Sequence, residues 1–143
     1  MEKSKILMVV MIIFLASCQK IDRSTIIEEY NVNSFTRDYT VQTSHWQVGT
    51  DDESGIYYYY EFRENNLTQF IYDHGIMQAF LITNNANLTP LPFDDFWMEG
   101  DYRWTEQVTC EFRPGYVTFI LKYNDHATNP PYYVYDFRVR FLW

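Results

Sequence analysis

The side chains that could do metal or thiol chemistry are few and widely separated. The three histidines, His45, His74 and His126, show no HxH or HExxH spacing, and no paired cysteines accompany them. Zinc sites require such clustered nitrogen and sulfur ligands. Cys110 lies in an alternating strand pattern with no histidine nearby to activate its thiol. The sequence therefore predicts isolated strand or surface histidines, a small buried cysteine and no metal site.

Acidic pairs are the other candidate chemistry. Asp51-Asp52-Glu53 offers the oxygen ligands that Ca²⁺ prefers, but it lacks the spaced Asp/Asn-Gly pattern of a dedicated loop. Asp94-Asp95 offers two carboxylates, yet glycoside hydrolysis needs acids that face one cleft, which adjacent residues do not indicate. No GxSxG elbow, P-loop or dinucleotide-binding fingerprint occurs. We therefore expect solvated acidic turns, no catalytic residue, no cofactor and a protein that is not an enzyme.

Aromatic side chains make up 20% of the sequence and are the feature closest to the chemistry of a binding surface. Tyr57 and Tyr59 are predicted to point away from the core side of their strand, and Phe96 and Trp97 lie in a long predicted loop. Flat aromatic groups exposed to solvent stack on sugar rings or contact protein partners. These four are therefore candidate ligand-binding residues. The alternative is that the sheets and the loop simply cover one another.

The excess of acidic residues limits which partners the protein can bind. The sequence carries 19 acidic against 11 basic residues, a net charge of −8. Nucleic acids bind proteins through lysines and arginines that neutralise phosphates, so we expect no nucleic-acid partner. Anionic lipid headgroups would not attract such a domain either, so any membrane attachment must come from another source.

The N-terminus has the three zones of an export signal. Lys3 and Lys5 precede an unbroken apolar run over residues 6–16, and small residues follow up to Cys18. The run is shorter than the roughly 20 apolar residues that a membrane-spanning helix needs, and the pattern is typical of a secretory signal. We predict a signal peptide over residues 1–17, a polar tether over 18–34 and one folded domain over 35–143.

Leu15-Ala16-Ser17-Cys18 resembles the lipobox of bacterial lipoproteins, an apolar residue and two small residues before a cysteine. The resemblance implies that the Cys18 thiol receives a diacylglycerol, that a peptidase cuts before it, and that the new amino group is acylated. Stable anchoring takes more than one acyl chain, which such a residue would carry. The alternative is an ordinary secretory signal with a chance cysteine.

The rest of the chain reads as alternating strands. Val108, Cys110 and Phe112 alternate with polar residues, Pro114-Gly115 fits a type II turn, and a return strand follows. A short turn, capped by Asn66 or Thr68 and closed by Gly75, is expected after the second strand. Pro90 and Pro92 predict an irregular segment over residues 84–100. Strands are predicted over residues 39–48, 56–62, 76–83, 102–112, 117–123 and 133–143.

Six or so antiparallel strands without a long helix predict an all-β fold. The most consistent architecture is an antiparallel β-sandwich that follows the signal peptide and tether, because half-apolar strands bury one face each between two sheets. A partly open β-barrel is the alternative.

The order of several short motifs resembles a set of small, uncharacterised lipoproteins of the Bacteroidota, each with a lipobox signal peptide and one all-β domain. The motifs are Trp46, the aromatic run 57–60, Leu67-Thr68 with Ile71 and Gly75, Leu91-Pro92, Pro114-Gly115 with Val117, and Phe137-Arg138-Val139. The resemblance implies a lipid-anchored protein of the outer membrane, facing the periplasm or the cell surface. It carries no assigned catalytic residues.

Two functions are consistent with these features. The first is a non-enzymatic binding or scaffold domain, tethered to the outer membrane through lipid on Cys18, with an envelope protein or a glycan as partner. The alternative is a carbohydrate-binding accessory lipoprotein of a glycan-uptake system. An exposed aromatic platform favours the sugar-binding function, whereas a deep pocket with converging carboxylates favours an enzyme.

Overall fold

The computed structural model describes residues 32–51, 55–83, 86–124 and 131–143. The predicted signal peptide, the lipobox with Cys18 and most of the predicted tether lie outside these residues. The elements are β1 (Ser34–Val41), β2 (Gln47–Asp51), β3 (Gly55–Arg63), α1 (Gln69–His74), β4 (Ile76–Thr83), β5 (Asn87–Pro90), β6 (Phe93–Glu99), β7 (Tyr102–Arg113), β8 (Tyr116–Tyr123) and β9 (Tyr135–Leu142).

The strands form two antiparallel sheets, as the sandwich prediction requires. The four-stranded sheet has the order β1-β9-β4-β5, and the five-stranded sheet has the order β2-β3-β8-β7-β6. Every second side chain of β9 is buried, and the residues between them are exposed or half-buried. This alternation places one apolar face of each sheet against the other. The predicted all-β sandwich is therefore confirmed.

Aromatic and branched side chains fill the space between the sheets. Phe119 of β8 and Phe137 of β9 stack across it, with ring centroids 3.9 Å apart and planes 8° from parallel. Both are fully buried, and they join the five-stranded sheet to the four-stranded one. Fully buried side chains around them include Val41, Tyr58, Val108, Val117, Leu121, Val139 and Phe141. The faces predicted for β3 and β7 agree with this core.

The predicted strand over residues 39–48 is wrong, because the chain changes sheets within it. β1 ends at Val41 in the four-stranded sheet, and β2 begins at Gln47 in the five-stranded one. Between them the backbone N–H of His45 donates to the carbonyl of Gln42, at 2.9 Å, and closes a turn. The start of pairing also lies before residue 35, since Asn33 exchanges two backbone hydrogen bonds with Trp143.

The segment predicted as irregular, residues 84–100, is largely strand. It contains β5, β6 and a short link with a cis Leu91-Pro92 bond. Both prolines are accommodated: Pro90 pairs with Phe80 at the end of an edge strand, and Pro92 lies between strands, where no backbone N–H is needed. The last strand also begins later than predicted, at Tyr135 and not at Tyr133.

The turns agree better with prediction. Thr68 caps α1, its hydroxyl accepting from the Ile71 N–H at 3.3 Å, and Gly75 ends the helix. Arg113 and Tyr116 pair across a two-residue turn in which Gly115 has φ of +82°, as the predicted type II turn requires. The turn is also held from outside, because Gly115 N–H donates to the carbonyl of Leu67 at 2.8 Å.

Gly115→Val is expected to lower the free energy of unfolding by about 1–3 kcal/mol, because a β-branched residue is strained at positive φ. A Cβ at this position would meet no atom within 4 Å, so the loss would come from the backbone and not from a clash. Gly115→Asn is the matched control, since asparagine tolerates this conformation. Equal denaturation midpoints for the valine variant and the wild type would contradict the requirement for a positive φ at position 115.

Candidate ligand groove

The four aromatic residues named as ligand-binding candidates do not form one site. Tyr57 and Tyr59 lie on the outer face of the five-stranded sheet, and Phe96, 82% exposed, lies on the same face of β6. Two strands, β8 and β7, separate β3 from β6, a lateral distance of about 14 Å. Trp97 belongs to the inner face of β6, opposite to its neighbour Phe96. The predicted loop cluster of Phe96 with Trp97 is therefore wrong.

The tyrosine pair covers its own sheet. The rings of Tyr57 and Tyr59 contact each other at 5.9 Å, and both residues are half-buried. The Tyr57 ring lies directly over Gly49 of β2, where a Cβ would come within 2.3 Å of it. The Lys122 ammonium lies 5.6 Å from the same ring. These contacts match the alternative in which the aromatic residues shield the sheet.

Trp97 instead belongs to a row of near-parallel rings. Its indole lies 6.3 Å from that of Trp104, its cross-strand partner on β7, with planes 10° apart. In the segment just before β9, the ring of Tyr133 lies 6.1 Å from Trp97, with planes 13° apart. Tyr102 extends the row, 5.5 Å from Trp104. Aromatic side chains of the five-stranded sheet thus meet one from the segment that precedes β9.

A groove of about 470 Å³ opens beside these rings. We call it the distal groove, and its wall includes residues 81–83 of β4 with Phe93, Asp95, Trp97, Glu106, Tyr133 and Tyr135. The volume lies in the range of small-molecule sites. The groove is at the start of β9, whereas the described chain begins beside Trp143, at the other end of that strand. Eight strand residues, about 27 Å, separate the two ends.

Glu106 is the buried acid of the groove. It is 7% exposed, and the Tyr135 hydroxyl donates to its Oε1 at 2.6 Å. Burial raises the pKa of this carboxyl, the hydrogen bonds from Tyr135 and Tyr123 lower it in part, and the nearby charge of Asp95 raises it further. Asp95 is the direct cross-strand partner of Glu106. Two carboxylates therefore face the same groove, which the adjacent pair 94–95 did not reveal.

Replacing Glu106 with glutamine is expected to raise the melting temperature at neutral pH. The folded chain holds the Glu106 proton more tightly than the unfolded chain, whose carboxyl has the ordinary pKa of 4.5. Ionisation of this group therefore costs stability above the folded-state pKa and costs nothing below 4.5. Glutamine removes that cost and keeps an oxygen acceptor for Tyr135. The gain should disappear in acid.

Thermal melting of both chains at neutral and acidic pH checks this expectation. Glu111→Gln is the control, because Glu111 lies on the same strand, is exposed, and should show no difference at either pH. A lower melting temperature for Glu106→Gln at neutral pH would mean that the tyrosine hydrogen bonds favour the carboxylate more than burial disfavours it.

The second buried acid, Glu64, has a structural role at the opposite end. The Tyr39 hydroxyl donates to its Oε2 at 3.0 Å, and the Asn66 N–H donates to its Oε1 at 3.1 Å. The Arg37 guanidinium lies 3.5 Å from Oε2. The backbone N–H of Glu64 also donates to the carbonyl of Gly115 at 2.8 Å. Glu64 thus fixes the chain after β3 to the 114–115 turn and does not line the distal groove.

The described histidines and Cys110 do not line the distal groove. His45 stacks on Tyr60, and His74 contacts Phe70 on α1; His126 lies outside the described residues. Cys110 is partly buried against the core, and burial raises the pKa of its thiol well above the ordinary value. Within the described ranges no three acidic, histidine or cysteine side chains are close enough to hold a metal ion. The same residues include no helix with the length and apolarity to cross a membrane.

Sequence reasoning missed Asp95, Trp104, Glu106 and Tyr133 as a group. A usable signal was present, since Phe93, Asp95 and Trp97 alternate with residues that the structure exposes. That period of two, between Pro92 and Gly100, indicates a strand whose inner face carries an acid and an indole. Comparison with known proteins adds no further assignment: no family model, curated protein or solved structure matches this chain.

Proposed function

We propose that this protein is an outer-membrane lipoprotein, anchored by acyl chains on Cys18, whose β-sandwich binds a ligand without turning it over. The export signal and the lipobox resemblance support the anchor. The partners are the membrane through its lipid and an envelope protein or glycan on the periplasmic or outer side. The net charge of −8 argues against nucleic acid.

The distal groove is the observation that supports a binding role. It has the volume of a small-molecule site, aromatic walls from both sheets, and carboxylates at Asp95 and Glu106. It also lies at the end of the sandwich away from Val32, where the described chain begins. The Glu106 carboxyl already accepts hydrogen bonds from tyrosines, which suits a wall group better than a free catalytic acid.

A carbohydrate-binding accessory role in glycan uptake is the second candidate. The near-parallel rings of Trp97 and Tyr133 favour it, because sugar rings stack on flat aromatic faces while their hydroxyls bind to carboxylates. The outer-face tyrosines are the competing platform for the same class of ligand. The two surfaces lie on opposite faces of the five-stranded sheet, so mutation can separate them.

The test uses the full chain, purified in detergent, on immobilised glycans and envelope peptides. We expect retention by some members of the panel, and Trp97→Ala should weaken it at least tenfold, since a central aromatic contact contributes about 2 kcal/mol or more. Tyr59→Ala is the control and should bind as the wild type does. Loss of retention in Tyr59→Ala alone would move the site to the outer face. Retention by no member of the panel would contradict a binding role of this kind.

A further inference from the structure

The charged side chains that line the distal groove share one sign. The two acids whose side chains face it are Asp95 and Glu106, whereas Asp136 borders the groove from the exposed face of β9, and no lysine or arginine occurs among the described residues of its wall. Asp95 accepts a hydrogen bond from the N–H of Phe96, and Asp136 accepts one from the Thr40 hydroxyl at 2.6 Å. These contacts orient the carboxylates but leave their negative charges uncompensated. The groove is therefore an acidic, aromatic concavity.

Three acids elsewhere in the domain are paired with arginines. Arg138 binds Asp38 through two hydrogen bonds of 2.7 Å, and Arg113 binds Glu61 at 2.8 Å. Glu64 has Arg37 at 3.5 Å. Within the part of the chain that the structure describes, neither Asp95 nor Glu106 has such a basic partner. A positive ligand would supply the charge that arginine supplies at the other acids.

The rings beside these acids suit the same kind of ligand. A cation placed over the face of tryptophan or tyrosine is attracted by the ring quadrupole, and the attraction grows when the site is shielded from water. Trp97 and Tyr133 both line the groove that holds Asp95 and Glu106. A neutral sugar would use the rings and would leave the two carboxylates as unneutralised neighbours.

We propose that the distal groove binds a small ligand that carries a protonated amine, with the amine beside Asp95 and Glu106 and an apolar part against Trp97 and Tyr133. This inference rests on the proposed binding function and names its ligand class. Burial of Glu106 agrees with it, because an arriving cation would stabilise the ionised carboxylate that burial disfavours. An amino sugar and an aliphatic polyamine both supply this chemistry.

In the experiment, the full chain in detergent is titrated with three probes, and calorimetry measures the affinity for each of them. Glucosamine tetramer and N-acetylglucosamine tetramer share a sugar backbone and differ in the charged amine, and spermidine supplies amines without sugar. We expect the amine tetramer to bind about tenfold or more tighter than its acetylated match, with weakening at high salt. If spermidine binds as tightly as the amine tetramer, the ligand is assigned to the polyamines. If spermidine does not bind and the amine tetramer does, the ligand is assigned to the amino sugars.

A matched pair of variants locates the charge. Asp95→Asn should reduce amine binding about fivefold or more, whereas Asp94→Asn should not change it, because Asp94 is the exposed neighbour on the outer face. Thermal melting shows whether each variant is folded, and Glu106→Gln replaces Asp95→Asn if the latter is not. Equal affinity for the two tetramers would overturn the amine inference and leave the binding function standing. Binding of none of the three probes would also overturn it, while the retention panel decides the binding function separately.

Discussion

Replacing Cys18 with alanine is expected to move this protein entirely out of the detergent phase and to abolish its labelling by fatty acid. The physical reason is that the apolar run over residues 6–16 is too short to span a bilayer, so attachment depends on the acyl chains that the lipobox resemblance implies. One chain holds a protein only marginally, and several at one residue hold it stably. The effect should therefore be close to complete.

The sequence offers a matched control for this change. It contains two cysteines, and Cys110→Ala makes the same substitution at the other one. Cys110 packs partly buried against the core, and burial holds its pKa high, so its thiol is a poor nucleophile for modification. The Cys110→Ala chain should stay labelled and in the detergent phase. Fatty-acid labelling that persists in Cys18→Ala would contradict the anchor.

Phe119→Ala is expected to lower the free energy of unfolding by about 3–5 kcal/mol. Phe119 is fully buried and stacks on Phe137 at 3.9 Å, so truncation leaves a cavity between the two sheets and removes a contact that joins them. Typical domains have only about 5–15 kcal/mol in total, so the variant should be marginally folded. Chemical denaturation followed by tryptophan fluorescence measures the loss.

Phe96→Ala is the control for this truncation. It removes the same atoms from an exposed position on β6, and exposed substitutions usually change stability by less than about 0.5 kcal/mol. A similar loss of stability in both variants would contradict the assignment of Phe119 to the core between the two sheets.

The regular strands could be predicted because their side chains alternate without interruption. Val108 to Phe112 and Val117 to Leu121 place apolar groups on one face, and Pro114-Gly115 supplies the turn conformation between them. β9 was equally clear from Phe137 onwards. In these segments local propensity, pattern and turn chemistry all indicate the same structure.

The errors arose where tertiary structure overrides local signals. Between Val41 and Gln47 nothing in the pattern marks a change of sheet, because a strand that continues and a strand that crosses have the same alternation. Pro90 and Pro92 predict an irregular segment because proline disfavours strands, but edge strands and strand ends accommodate it. The distal groove joins β6, β7 and the start of β9, which are distant in sequence. Its composition therefore depended on knowing the pairing.

Binding without turnover at the distal groove can be tested by a single assay. The full chain is incubated with the glycans and peptides that it retains, and products are followed by mass spectrometry beside Glu106→Gln and Asp95→Asn. We expect every retained ligand to be recovered uncut, from the wild type and from both variants alike. Cleavage by the wild type that disappears in Glu106→Gln or Asp95→Asn would contradict it, because the two groove carboxylates would then be a catalytic pair.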